Sequence, residues 1–220
     1  MNNSVRPRDA ASLVLICREG ERIFVLMGRR PRAMAFAPDI FVFPGGKLDA
    51  NDKTISPVTP LHKTTLSRLT TSTTSASLAT ALAITATRET YEETGLVVSK
   101  TGVGYTTASH QESWPPHDYP PFLDRFGILA RAITPTSSPV RFHARFFSIM
   151  VQSGATQIKP RSNGELLDLD WWPLEKARTL PLFDVTEYVL SLVAQGRTGF
   201  DTGPVPLCHY KNDRLLIHNR

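Results

Sequence analysis

The segment RETYEETG, Arg88 to Gly95, places three glutamates, Glu89, Glu92 and Glu93, directly ahead of a glycine that reads as a helix stop. The carbonyl end of a helix already carries partial negative charge, so carboxylates in its last turn are destabilising and bases are the ordinary residues there. On a helix of 3.6 residues per turn these positions are i, i+3 and i+4, and the three carboxylates share one face, able to converge on one point. Arg88 stands four residues before Glu92 and can orient it through an ion pair, but one guanidinium does not neutralise three carboxylates. A divalent cation supplies the missing charge. All-oxygen ligands with no His or Cys nearby in sequence select a hard ion, Mg²⁺ or Mn²⁺. Taken alone, the segment also reads as a solvated amphipathic face.

The residues before it support a helix. SLATALAITATRETYEETG is rich in alanine and leucine, offers Ser75 or Ser77 as N-cap and closes at Gly95. Upstream, ASLVLIC and RIFVLMGRR flank Arg18 to Glu21 as two strands of a hairpin, and DIFVFPGG reads as a strand delivering a glycine loop. From Thr64 to Ser77, ten of fourteen residues are Ser or Thr, which predicts a mobile insertion with little to bury. Further on, FGILARAIT and RFHARFFSIMV are two strands separated by PTSSP, and ELLDLDWW is another. Pro173 suits the first turn of a helix over 173–179, a second helix fits 184–195, and the tail from Gly196 reads as loop plus one strand. Alternating strands and helices without an internal repeat predict a layered α and β fold.

At 220 residues and 41% hydrophobic composition, residues 1–220 fit one decorated domain. No run approaches the roughly 18 apolar residues of a membrane span, and AASLVLIC, followed by Arg18 and Glu19, reads as a strand rather than a signal peptide. Two cysteines, Cys17 and Cys208, without CxxC spacing, point to a reducing, cytoplasmic location. A formal charge of +5 and a pI near 9.4 favour anionic partners. The basic residues are dispersed, which suits a phosphorylated small molecule better than a nucleic acid.

In order, Gly46, Asp52, Arg88, Glu89, Glu92, Glu93, Gly95 and Leu96 resemble the Nudix box. Asp52 stands where the pattern has Glu, and Thr90 occupies a usually apolar position. From Asp52 to Arg88 is 36 positions against 8 in an uninterrupted box, so 36 − 8 = 28 extra residues lie inside the motif, an insertion at about 53–80. Loop-closure entropy grows slowly with length, so the junction can absorb them. A branch of the family that hydrolyses coenzyme A in peroxisomes also carries an insertion in its box, and FVFPGG and RFHARFF are similar to its members.

The resemblance implies an α+β fold, an α/β/α sandwich on a mixed β-sheet, and metal-dependent hydrolysis of a nucleoside diphosphate linked to another moiety. Carried to matching positions, it makes Glu89 and Glu93 metal ligands of Mg²⁺ or Mn²⁺, and Glu92 a third ligand or water-activating base. The Gly46 carbonyl completes the shell and Arg88 orients. Glu165, in SNGELL, is the candidate base outside the box, whereas Asp52 is expected as an exposed loop acid. Arg29, Arg30 and Arg32 are candidates for substrate phosphates, and Trp114, Tyr119 and Phe36 for stacking on a base. Coenzyme A or acyl-coenzyme A is the expected substrate. Of the loop signature found in other coenzyme A cleaving members, Arg30 matches but Ala35 and Asp39 do not. ADP-ribose, NADH, a modified nucleoside triphosphate, a nucleotide-sensing role and a structural metal site stay open, as does a homodimer using the C-terminal segment.

Overall fold

The apolar run LVLIC is the centre of the molecule. In β1 (Arg8–Glu19), Leu13, Leu15 and Cys17 enter one core layer and Val14 and Ile16 the other, all nearly inaccessible to solvent. A strand buried on both faces reads as continuous rather than alternating hydrophobicity. The computed structural model describes residues 5–34, 37–71, 73–105, 121–211 and 214–219.

After β1 come β2 (Arg22–Arg29), β3 (Phe41–Val42) and β4 (Gly45–Lys47), then helices α1 (Lys63–Leu69) and α2 (Ala76–Thr94). Strands β5 (Leu96–Val98), β6 (Val103–Tyr105), β7 (Gly127–Ile133), β8 (Phe142–Met150) and β9 (Leu167–Pro173) follow. Helices α3 (Leu174–Ala177) and α4 (Asp184–Ala194) precede β10 (Leu207–Lys211) and β11 (Arg214–His218). Among the described residues nine strands form one sheet in the order β11-β10-β7-β8-β1-β2-β3, with β4 on the first half of β1 and β9 on β2. β1 pairs with β8 and β7 with β10 in parallel, and the other pairs are antiparallel, so the sheet is mixed. Residues of α1 and α2 fill the core layer on one face, and α3 and α4 fill the other. The α+β sandwich expected from the sequence is the fold observed. β5 and β6 form a separate pair.

The helix carrying the glutamates runs as the sequence predicts. Ser75 accepts the Leu78 N–H at its start, and Gly95 ends it at φ 68°, where a side chain would be strained. No basic residue lies in its last turn, so within the helix only Arg88, a turn earlier, offsets the carboxylates there. Thr90, the departure from the apolar box position, is fully buried and gives its hydroxyl proton to the Ala86 carbonyl at 2.7 Å. That bond removes the polar cost of placing threonine in the core.

Three expectations change. The Ser/Thr-rich insertion contains α1, and its Leu61 and Leu69 are buried in the α1/α2 layer. Thr65 donates to the Phe126 carbonyl at 2.6 Å, and Arg68 donates to three carbonyls, Gly203 at 2.9 Å, Ile128 at 3.0 Å and Gly199 at 2.7 Å. Composition gave the wrong reading because a few long-range anchors outweigh the low apolar content. The glycine loop after FVF is itself a short strand, β4, paired Gly46 to Ala11. The tail holds two strands, since β10 has β7 on one side and β11 on the other.

Because Arg68 satisfies three carbonyls at once, Arg68→Leu is expected to lower stability by about 2–4 kcal/mol. Urea denaturation with an unchanged m-value measures it, and a loss below about 0.5 kcal/mol would mean that the insertion is not anchored this way.

Candidate active site and metal centre

Asp52, expected as an exposed loop acid, is completely buried. Its carboxylate accepts from Arg88 Nε at 2.8 Å and Nη2 at 3.0 Å, from the Thr85 hydroxyl at 2.8 Å and from the Asp49 N–H at 2.9 Å. The shorter side chain at the usual Glu position is accommodated because the 3-10 turn Asn51–Lys53 brings the backbone to α2. Arg88 continues from Asp52 to Glu92 Oε2 at 2.8 Å, Glu89 Oε1 at 3.0 Å and the Lys47 carbonyl at 3.2 Å. The expected Arg88–Glu92 pair therefore exists, within a larger network.

Glu89 and Glu93 converge on the glycines of β4. Glu93 accepts the Gly45 N–H at 2.9 Å, and a β-carbon at Gly46 would fall onto the Glu89 carboxylate. At Gly45, a β-carbon would collide with Ala11 and Ser12 of β1. Two glycines are required here because strand and carboxylates share the same space. Glu92 turns outward to Arg88, its side chain 43% exposed, so the three glutamates do not meet at one point as the helical spacing predicted. Glu165 lies on the surface, close enough for its charge to act on both Glu89 and Glu93.

Burial dominates the electrostatics. It pushes the Glu89 carboxyl up to about 7, against the attraction of Arg88 and with added repulsion from Glu92 and Glu165. It pushes Glu93 up to about 8, against the Gly45 hydrogen bond and the Arg30 charge and with repulsion from Glu89 and Glu165. Two carboxylates that resist ionisation side by side, Glu93 buried and Glu89 half-buried, favour a bound cation. Among the described residues no three acidic, imidazole or thiol groups form a ready-made metal cluster. Two carboxylates and a backbone carbonyl still suit a hard ion that keeps waters and substrate oxygens in its shell. The donor set therefore fits a divalent metal.

A cavity of about 600 Å³ opens beside Gly45 and Gly46, on the α4 face of the sheet. Of the three candidate arginines only Arg30 lines it. Arg29 is held by Asp39 at 2.5 Å and Asp168 at 2.6 Å, and the 90% exposed Arg32 side chain lies 3.4 Å from Asp39. Trp114, Tyr119 and Phe36 lie outside the described residues. Sequence reasoning missed Thr85 and Asp49 as supports of Asp52. The i, i+3 spacing of Thr85 and Arg88 was the available signal.

No protein-family model and no curated protein matches the chain. Among solved structures it is similar to a NUDIX hydrolase from Alicyclobacillus acidocaldarius, with 26% identity and a TM-score of 0.68 over 90% of this chain and 99% of that one. The chain has the fold of a Nudix hydrolase. The same fold is shared, at lower identity, with the NUDIX domain of Shewanella oneidensis NrtR complexed with ADP ribose: 14%, TM-score 0.52, covering 87% of this chain and 89% of that one. A C. elegans Ap4A hydrolase is similar at 12% and TM-score 0.50, covering 86% of this chain and 96% of the other. In this chain the box-like motif is interrupted in sequence and continuous in space, because Asp52 and Arg88 close the gap.

Breaking that pair takes the two Asp52 hydrogen bonds from a largely buried guanidinium and leaves it Glu89 and Glu92, so Asp52→Ala is expected to cost roughly 3 kcal/mol in urea denaturation, with Asp52→Asn costing less. A second expectation concerns pH. Glu89 and Glu93 hold protons in the folded state that the unfolded chain releases near its ordinary carboxyl range, so their stabilisation is complete below about pH 4.5 and lost as pH rises to about 8. Melting temperature in chelator should fall across that window, saturating Mn²⁺ should flatten the decline, and Glu93→Gln should reduce it.

Proposed function

We propose that this chain is a Nudix hydrolase that cleaves the diphosphate linkage of a nucleoside diphosphate derivative, coenzyme A or an acyl-coenzyme A first among them. The observation that carries the reading is the pair of buried Glu93 and half-buried Glu89, both hard to ionise, set against Gly45 and Gly46 at the edge of the cavity. Glu89, Glu93 and the Gly46 carbonyl would hold Mg²⁺ or Mn²⁺. When bound, the ion withdraws charge from the diphosphate oxygens and acidifies a water.

The remaining roles belong to the chain. Arg88 fixes Glu89 and Glu92 in position through its anchorage on Asp52. Glu92, exposed, and Glu165, whose charge reaches Glu89 and Glu93, are the two candidates to take the proton of the attacking water. Arg30, lining the cavity and drawn to Glu93, would bind a substrate phosphate, with Arg29, Arg32 and Trp114 as further substrate contacts. Residues 1–220 act in this reading as one domain on a small-molecule substrate, alone or as a homodimer, without nucleic acid. The thiols of Cys17 and Cys208 are unpaired and buried, in keeping with a cytoplasmic setting. No helix among the described residues is long and apolar enough to cross a membrane.

Purified protein with Mg²⁺ is incubated separately with coenzyme A, ADP-ribose and NADH, and products are resolved by mass. The expected outcome is 3′,5′-ADP and 4′-phosphopantetheine from coenzyme A, with Glu93→Gln slower by at least about 100-fold, the scale of losing one electrostatic contact to a developing charge. Cleavage of the dinucleotides alone would replace the substrate and keep the chemistry. Equal turnover by Glu93→Gln would remove the metal-site assignment.

A further inference from the structure

The cavity extends well beyond the box glycines. It is lined strand by strand by Gly46 of β4, Ser12 of β1, Ala144 of β8, Ala132 of β7 and Tyr210 of β10, which are successive neighbours in the sheet. Four strand spacings of about 4.8 Å separate the first from the last, on the order of 19 Å. An extended chain advances about 3.5 Å per three bonds, so the trench matches an arm of roughly sixteen bonds.

Its chemistry changes from end to end. Arg30, attracted to Glu93, is the charge at the glycine end. Asp184, exposed in the first turn of α4, stands beside Tyr210 at the other end, close enough for its charge to act on the phenol, and no further charged residue lines the cavity among the described residues. Between them the walls are mostly apolar, including Phe43 and Phe146 packed edge to face at 6.4 Å, with Phe142, Phe183 and Val185, and uncharged Ser and Thr side chains supply the rest. A second phosphate placed at that end would meet the exposed Asp184 carboxylate and no cation among the described lining residues, a like-charge repulsion with nothing to offset it. An N–H or O–H donor there would find the free lone pairs of Asp184.

We propose that this trench receives a long, uncharged and mostly apolar arm carried on the scissile diphosphate, ending in a hydrogen-bond donor that Asp184 accepts. The inference rests on the hydrolase reading and adds which half of the substrate enters and what reads its end. Asp184 is a specificity residue beside Tyr210, and the phosphate-rich half of the substrate stays outside, on the Arg30 side.

The test uses pantetheine, an arm of this kind without phosphate, titrated by calorimetry into wild-type protein and Glu93→Gln in chelator. Saturable binding to both is expected, weakened at least tenfold by Ala144→Phe and about three- to tenfold by Asp184→Asn, while ADP with Mg²⁺ binds Ala144→Phe as it binds wild type. Asp184→Asn keeps the volume of the side chain and decides the matter should Ala144→Phe lose its cooperative melting transition. No pantetheine binding, or binding indifferent to both substitutions, overturns the proposal even where coenzyme A is hydrolysed. The expected binding pattern in a protein that cleaves no diphosphate would instead sustain the trench assignment and sink the hydrolase reading.

Discussion

The buried pair between Asp52 and Arg88 is the contact on which the site depends. Taking two charges out of water is expensive, and the attraction between them offsets that cost only when the remaining hydrogen-bonding capacity is also filled. Here Thr85 and the Asp49 amide complete the carboxylate, and Glu92, Glu89 and the Lys47 carbonyl complete the guanidinium. Such a network has one satisfied arrangement. It therefore fixes how α2 rotates about its axis, and with it where Glu89 and Glu93 point.

Fixing that rotation forces like charges together. Arg88 is shared among Asp52, Glu92 and Glu89, and Glu93 has an amide hydrogen bond and the more distant charge of Arg30. The raised carboxyl values of Glu89 and Glu93 express this imbalance in the absence of a cation. Gly45 and Gly46 follow from the same geometry. Strand β4 must sit close enough to β1 for ladder pairing and close enough to α2 for its backbone to meet the carboxylates, and no side chain fits both demands.

The fold was legible where periodicity or capping expresses a local rule. Ser75 and Gly95 bracket α2, the Gly20 turn joins β1 to β2, and the apolar LVLIC run reads as a strand, whose burial on both faces only the structure shows. The site was legible as a list of residues, because helical spacing puts Glu89, Glu92 and Glu93 on one face. Their division of labour was not, since it depends on the direction in which Arg88 is pulled by a residue 36 positions away. The burial of Asp52 and the anchoring of Arg68 escaped for the same reason. Both are long-range contacts with no local signature, and a carboxylate or guanidinium next to Ser and Thr looks solvated until its partners are placed.

The position of the insertion follows from this as well. It lies between the two residues joined by the buried pair, so extra chain there lengthens a loop that is already closed in the folded state. The added closure entropy rises only with the logarithm of loop length. Part of that cost is returned by the insertion's own contacts, with Leu61 and Leu69 in the core layer of α2 and Arg68 tying it to the carbonyls beside β7. An insertion at the C-terminal end of α2 would have no such clamp across it and would displace Glu93 from Gly45 directly. Between Asp52 and Arg88, by contrast, the chain can grow without moving either glutamate.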